Sequence, residues 1–142
     1  MNGFLLNTNI VSELIKSRPE PKLSLWIAST DESLLYLSVL TIGEIRKGIV
    51  QLGKTGRQIA LQTWVDRDLR ARFVDRILPI DEPVADRWGW ISGQAMAKGA
   101  RLPVIDGLLA ATALHYNLTF VTRNTKKDVL ATGAVVFNPW QS

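Results

Sequence analysis

Short apolar runs that each stop at polar residues constrain this chain more than any other feature. Gly3 to Leu6 breaks off at Asn7-Thr8-Asn9, Leu34 to Leu40 gives way to Thr41-Ile42-Gly43-Glu44, and Leu118 to Thr122 ends at Arg123-Asn124. Runs this short read as buried strands, and helical patterns separate them. Strands alternating with helices build a parallel sheet, whose strand ends share one edge. In such sheets ligands bind beyond the carboxyl ends of the strands, which is where Asn7 falls.

The remaining elements follow the same alternation. Thr8 to Lys16 carries Ile10, Val11, Leu14 and Ile15 on one helical face, and Pro19 and Pro21 end it. Leu23 to Ala28 reads as a second short helix, and Thr41 to Glu44 as a capping box opening a helix that runs to about Leu52. After the turn Gly53 to Gly56, Arg57 to Phe73 reads as an amphipathic helix with Ile59, Leu61, Trp64, Val65 and Leu69 inward. Arg76 to Ile80 is a short strand whose proline places it at an edge or a strand end. A long helix begins near Glu82, with Pro83 in its first turn and Gly99 just past its end. Asp106 stands at the head of an alanine-rich helix over Gly107 to Tyr116, and Val135 to Phe137 is a last strand. The expectation is a single α/β domain over residues 1–142, with a mainly parallel sheet of about five strands flanked by helices.

Composition narrows the chemistry. With 142 residues, 46% of them apolar, the chain can bury a proper core. No apolar run approaches the ~20 residues of a membrane span, and Met1-Asn2-Gly3 lacks a basic signal-peptide start, so a cytoplasmic protein without a membrane role is expected. The absence of cysteine excludes disulfides and thiolate metal sites, leaving oxygen ligands or the single His115. Hard cations such as Mg²⁺ or Mn²⁺ are then the candidates. A net charge of +4 suits a polyanionic partner such as nucleic acid, or simply a solvated basic surface.

Asn7, Glu44, Asp106 and Asn124 each have a local explanation as caps or turn residues. Jointly they fall at the ends of parallel strands, accompanied by Thr122, and clustered carboxylates repel unless a cation neutralises them. A divalent ion held there can activate water against a phosphodiester.

In this order, Leu5-Leu6-Asn7-Thr8-Asn9, Leu40 to Gly48, Asp106 to Ala113 and Leu118 to Asn124 resemble the PIN domain. The likeness covers nearly the whole chain and is closest to the VapC toxins of bacterial type II toxin-antitoxin modules, in the branch that includes FitB. It implies a Mg²⁺- or Mn²⁺-dependent endoribonuclease, a homodimer, held inactive by a VapB-type antitoxin. Carried over, residue 7, Glu44 and Asp106 hold the metal, Thr122 and Asn124 support the fourth corner, and Thr8 and Asn9 order the first loop. Asp128 is either a further carboxylate near that corner or a turn residue.

The departure is Asn7. The family has an aspartate there, and the amide offers one carbonyl oxygen and no charge. The resemblance therefore implies a weak or inactive nuclease, whether through a deliberate aspartate-to-asparagine exchange or as a natural variant. The alternative is a non-catalytic PIN-like module binding RNA or protein. A receiver-type signalling domain fits poorly, because Asn7-Thr8-Asn9 lacks the adjacent acids it needs. His115 reads as a surface or helix-end residue, Trp88 and Trp90 as groove flanks, and Trp26 and Trp64 as core or dimer residues. Trp140 packs the C-terminus, Arg46 and Lys47 face either substrate phosphate or solvent, and Ile49, Leu52, Ile59 and Trp64 form a core or partner surface.

Overall fold

The computed structural model describes residues 2–124 and 127–141, and its strands form one five-stranded sheet in the order β3-β2-β1-β4-β5. These are β1 (Phe4–Leu6), β2 (Leu35–Ser38), β3 (Ile77–Leu78), β4 (Thr119–Val121) and β5 (Val136–Phe137). All neighbouring pairs run parallel. At the centre, Leu5 stands opposite Tyr36 on one side and Phe120 on the other. Phe4, Leu5 and Leu6 are all buried, because helices cover both faces of the sheet; the run is therefore apolar throughout instead of alternating.

The chain steps from β1 outward to β2 and β3, then returns to the other side of β1 for β4 and β5. The ends of β1 and β4 consequently flank the point where the winding reverses, the place where open α/β sheets leave a crevice. The Asn7 amide N–H donates to the Val121 carbonyl at 2.9 Å and ties those two ends together. At the opposite end of β1, Gly3 has φ of +109°, and a Cβ there would lie 2.6 Å from the Leu34 carbonyl oxygen, so only glycine fits.

The helices are α1 (Thr8–Leu14), α2 (Pro21–Ser29), α3 (Val39–Val50), α4 (Gly56–Thr63), α5 (Arg70–Arg72), α6 (Glu82–Ala97), α7 (Val104–His115) and α8 (Lys127–Leu130). One core, including Leu6, Ile10, Leu37, Ile45, Val65 and Phe73, fills one face of the sheet, and Leu5, Leu109, Ala113, Leu118 and Phe120 fill the other. A third cluster, Val84, Ile91 and Ala111, seals α6 against α7.

Several expectations are corrected. The second strand stops at Ser38, whose hydroxyl accepts from the Leu40 N–H at 3.0 Å and caps α3. The capping box at Thr41 and Glu44 does not form: Thr41 is buried within the helix, and Glu44 is left free of that role. The stretch Arg57 to Phe73 is not one α-helix, since Trp64–Leu69 widens into a π-helical turn between α4 and α5. That wider turn brings Val65 and Leu69 into the core while Asp66, Arg67 and Asp68 stay exposed. Ile59 points outward, at 68% exposure. The alanine-rich helix starts three residues early, at Val104, which puts Asp106 inside its first turn.

Candidate functional site

Polar residues from the start of α1, from α3, from α7 and from the loop after β4 form one connected chain of hydrogen bonds. Thr8 opens α1 and donates its hydroxyl to Glu44 Oε1 at 2.5 Å, a short charge-assisted bond that fixes the Glu44 side chain across the gap from α3. The Thr8 N–H donates to Asn7 Oδ1 at 2.7 Å, so the residue-7 carbonyl serves as the cap of α1. Asn7 Nδ2 donates to Thr122 Oγ1 at 2.9 Å, and the Asn124 N–H donates to the same oxygen at 3.0 Å. Asn124 Nδ2 then donates to Asp106 Oδ2 at 3.2 Å. Glu44 and Asp106 thus stand at the two ends of a chain that passes through residue 7.

Asn7, Thr8, Asn9, Ser12, Glu44 and Asp106 line an open cleft of about 620 Å³, with Pro103, Val104 and Ile105 forming its apolar wall. Of these Asn7 is 7% exposed, and Thr122, which accepts from it, is fully buried. The donors are all oxygens, as a hard cation requires. Besides the two carboxylates, Asn9 Oδ1 is buried with no hydrogen-bond partner among the described residues. An unpaired acceptor on a residue that lines the same cleft as two carboxylates suits a cation better than an apolar or anionic ligand. Among the described residues no group of three or more acidic, histidine or cysteine side chains is placed to hold a metal ion, and residue 7 adds no charge to Glu44 and Asp106.

Thr41 was not expected at the site. It is fully buried, and its Oγ1 lies 3.3 Å from Thr8 Oγ1. Since the single Thr8 proton goes to Glu44, Thr41 donates to Thr8, and the two threonines form a directed relay onto the carboxylate. Ser12 and the wall Pro103–Ile105 were also missed: nothing in their residue types marks them as lining. The spacing of four between Thr8 and Ser12, one helical turn, was the available signal.

Other candidates lie elsewhere. Arg46 bonds Gln62 and pairs with Asp66 at 2.5 Å, which engages it with α4 and the π-helical segment; it is not among the residues that line the cleft. Asp128 sits in the first turn of α8 and lines a separate cavity with Ile91, Gln94 and Lys98; it is not among the residues that line the cleft. His115 is exposed at the end of α7, with its ring 4.8 Å from that of Tyr116. Trp88 packs behind Gly107, where a Cβ would meet its ring at 3.1 Å, and Trp90 is 67% exposed on the outer face of α6; neither flanks the cleft. Trp26 stacks edge-on against Phe4 at 5.1 Å, within the core. Trp140 carries the Arg123 guanidinium over its ring at 5.1 Å. On α1, Glu13 is buried, and its pKa is held below the ordinary carboxylate value chiefly by its hydrogen bond to Lys16, helped by the Glu20 N–H, against the opposing cost of burial.

A family model for the PIN domain matches residues 4–132. Toxin FitB of Neisseria gonorrhoeae is 35% identical over 137 residues, covering 96% of this chain and 98% of that protein. The VapC ribonuclease Y4jK of Sinorhizobium fredii is 30% identical over 138 residues, covering 97% of this chain and 98% of that protein. The crystal structure of FitAcB from Neisseria gonorrhoeae matches with a TM-score of 0.92 at 34% identity, covering 98% of this chain and 99% of that one.

Proposed function

The chain belongs to the PIN-domain family, among the VapC- and FitB-like toxins, and on that premise we propose that it is a metal-dependent endoribonuclease toxin whose activity is impaired at residue 7. The observation that carries this reading is the single cleft shared by Asn7, Glu44 and Asp106. Glu44 and Asp106 would hold a Mg²⁺ or Mn²⁺ ion, to which Asn7 would offer no more than a spare lone pair of an oxygen already engaged by the Thr8 N–H. When bound, such an ion lowers the pKa of water and stabilises charge developing on a phosphodiester oxygen. Thr8 holds Glu44 in place, Asn124 orients Asp106, and Thr122 anchors residue 7.

The partner on this reading is a VapB-type antitoxin, as the similarity to FitAcB suggests. A homodimer is supported by the exposed Val50, Leu52 and Ile59 on the α3–α4 hairpin. Light scattering that gives a clean monomer at micromolar concentration would remove that part.

The test is RNA cleavage by the Asn7→Asp variant in Mn²⁺, with and without EDTA. The variant should cut at least about a hundred-fold faster than the parent, and EDTA should abolish the difference. Equal activity in the two proteins would count against impairment at residue 7. The neutral amide favours one further reading, a non-catalytic PIN-like module that binds RNA or protein. An Asn7→Asp protein that neither binds Mn²⁺ nor cuts RNA would establish it.

A further inference from the structure

We infer that Asn9 supplies its side-chain oxygen to the cation site formed by Glu44 and Asp106; this rests on the nuclease reading and adds a donor that the carboxylate pattern does not contain. Two side-chain atoms among the described residues are buried without a hydrogen-bond partner, Asn9 Oδ1 and Trp88 Nε1. The indole nitrogen lies against Gly107, in apolar packing between α6 and α7. The Asn9 oxygen belongs to a residue that lines the cleft with both carboxylates.

A buried acceptor left unpaired bears its full desolvation cost, which coordination to a cation would offset. The role expected of Asn9, ordering the first loop, is filled without this atom. Asn7 caps α1, Thr8 bonds Glu44, and the Ile10 N–H donates to the Asn7 carbonyl at 3.0 Å. An amide oxygen is a hard, neutral donor of the kind that completes oxygen coordination shells around divalent ions. With residue 7 uncharged, a third donor from position 9 partly makes up the set.

Mn²⁺ titration by calorimetry, with thermal unfolding in its presence and absence, tests this on the full chain as it stands and in the Asn7→Asp background. Asn9→Leu keeps the shape and removes the oxygen. It should weaken Mn²⁺ binding about ten-fold or more while raising the cation-free melting temperature, opposite signs that a purely structural residue would not give. Asn9→Asp keeps the donor and adds charge, so it should tighten binding even if the leucine variant folds poorly. Parent-like Mn²⁺ affinity in both variants, including a stabilised Asn9→Leu with unchanged affinity, would overturn the inference while leaving Glu44 and Asp106 standing. Failure of the nuclease reading looks different: Asn7→Asp protein then binds no Mn²⁺, Glu44→Gln makes no difference, and the Asn9 inference falls with it.

Discussion

Both polar atoms of the Asn7 side chain are already engaged, its oxygen by the Thr8 N–H and its nitrogen by the Thr122 hydroxyl. An aspartate would keep this geometry with one reversal: the Thr122 hydroxyl would donate to the carboxylate and still accept from the Asn124 N–H. The exchange is therefore nearly free for the fold and decisive for charge. Thr8→Val should release Glu44 and weaken Mn²⁺ binding by about 10-fold, whereas Thr8→Ser should retain most of the affinity; calorimetry reads both. Glu13 gives a pH prediction. Its folded pKa is depressed, so it contributes stability above its unfolded value of 4.5, and that contribution is lost as pH falls through the folded value. Urea midpoints of parent and Glu13→Gln should differ clearly at neutral pH and converge in acid. Asn7, Glu44, Asp106 and Asn124 were legible because each follows an apolar run or opens a helix. Thr41 was not, since one buried hydroxyl among apolar neighbours leaves no pattern.

At the level of elements, α7 places Asp106, and α7 is itself fixed by how closely Trp88 of α6 approaches it. Gly107→Ala would put a methyl 3.1 Å from two atoms of the Trp88 ring and 3.2 Å from Leu102 Cδ2, so it should destabilise the protein by about 1–3 kcal/mol in urea. Ser38→Ala removes the cap of α3 and should cost about 0.5–2 kcal/mol, with the loss read at the same urea midpoint. The sequence pattern located nearly every strand and helix but misjudged their ends. Val39 and Leu40 are as apolar as the strand before them, and only the Ser38 hydroxyl, taken up by the Leu40 N–H, shows that the helix has begun. The π-helical turn was hidden for a related reason: its wide spacing keeps Val65 and Leu69 on the core side, as an α-helix would. The short helix α8 has too few residues for a period to show.

Across the whole molecule, parallel pairing gathers side chains from the start of α1 just past β1, from α3, from α7 and from the loop after β4 at one edge. That convergence could be anticipated from strand order alone, because parallel strands leave their carboxyl ends together. The net charge of +4 says less. Arg46, Arg70, Arg72 and Arg76 are drawn into pairs with Asp66 and Glu32 on the surface. Their charges serve a polyanion less than a count suggests. No helix among the described residues is long and apolar enough to cross a membrane. The most direct measurement is anomalous diffraction from crystals of the Asn7→Asp protein soaked in Mn²⁺. A peak between Glu44 and Asp106, absent from a matched Asp106→Asn crystal, is the expected result. Manganese found only elsewhere on the molecule, with those two carboxylates bare, would contradict the nuclease site itself.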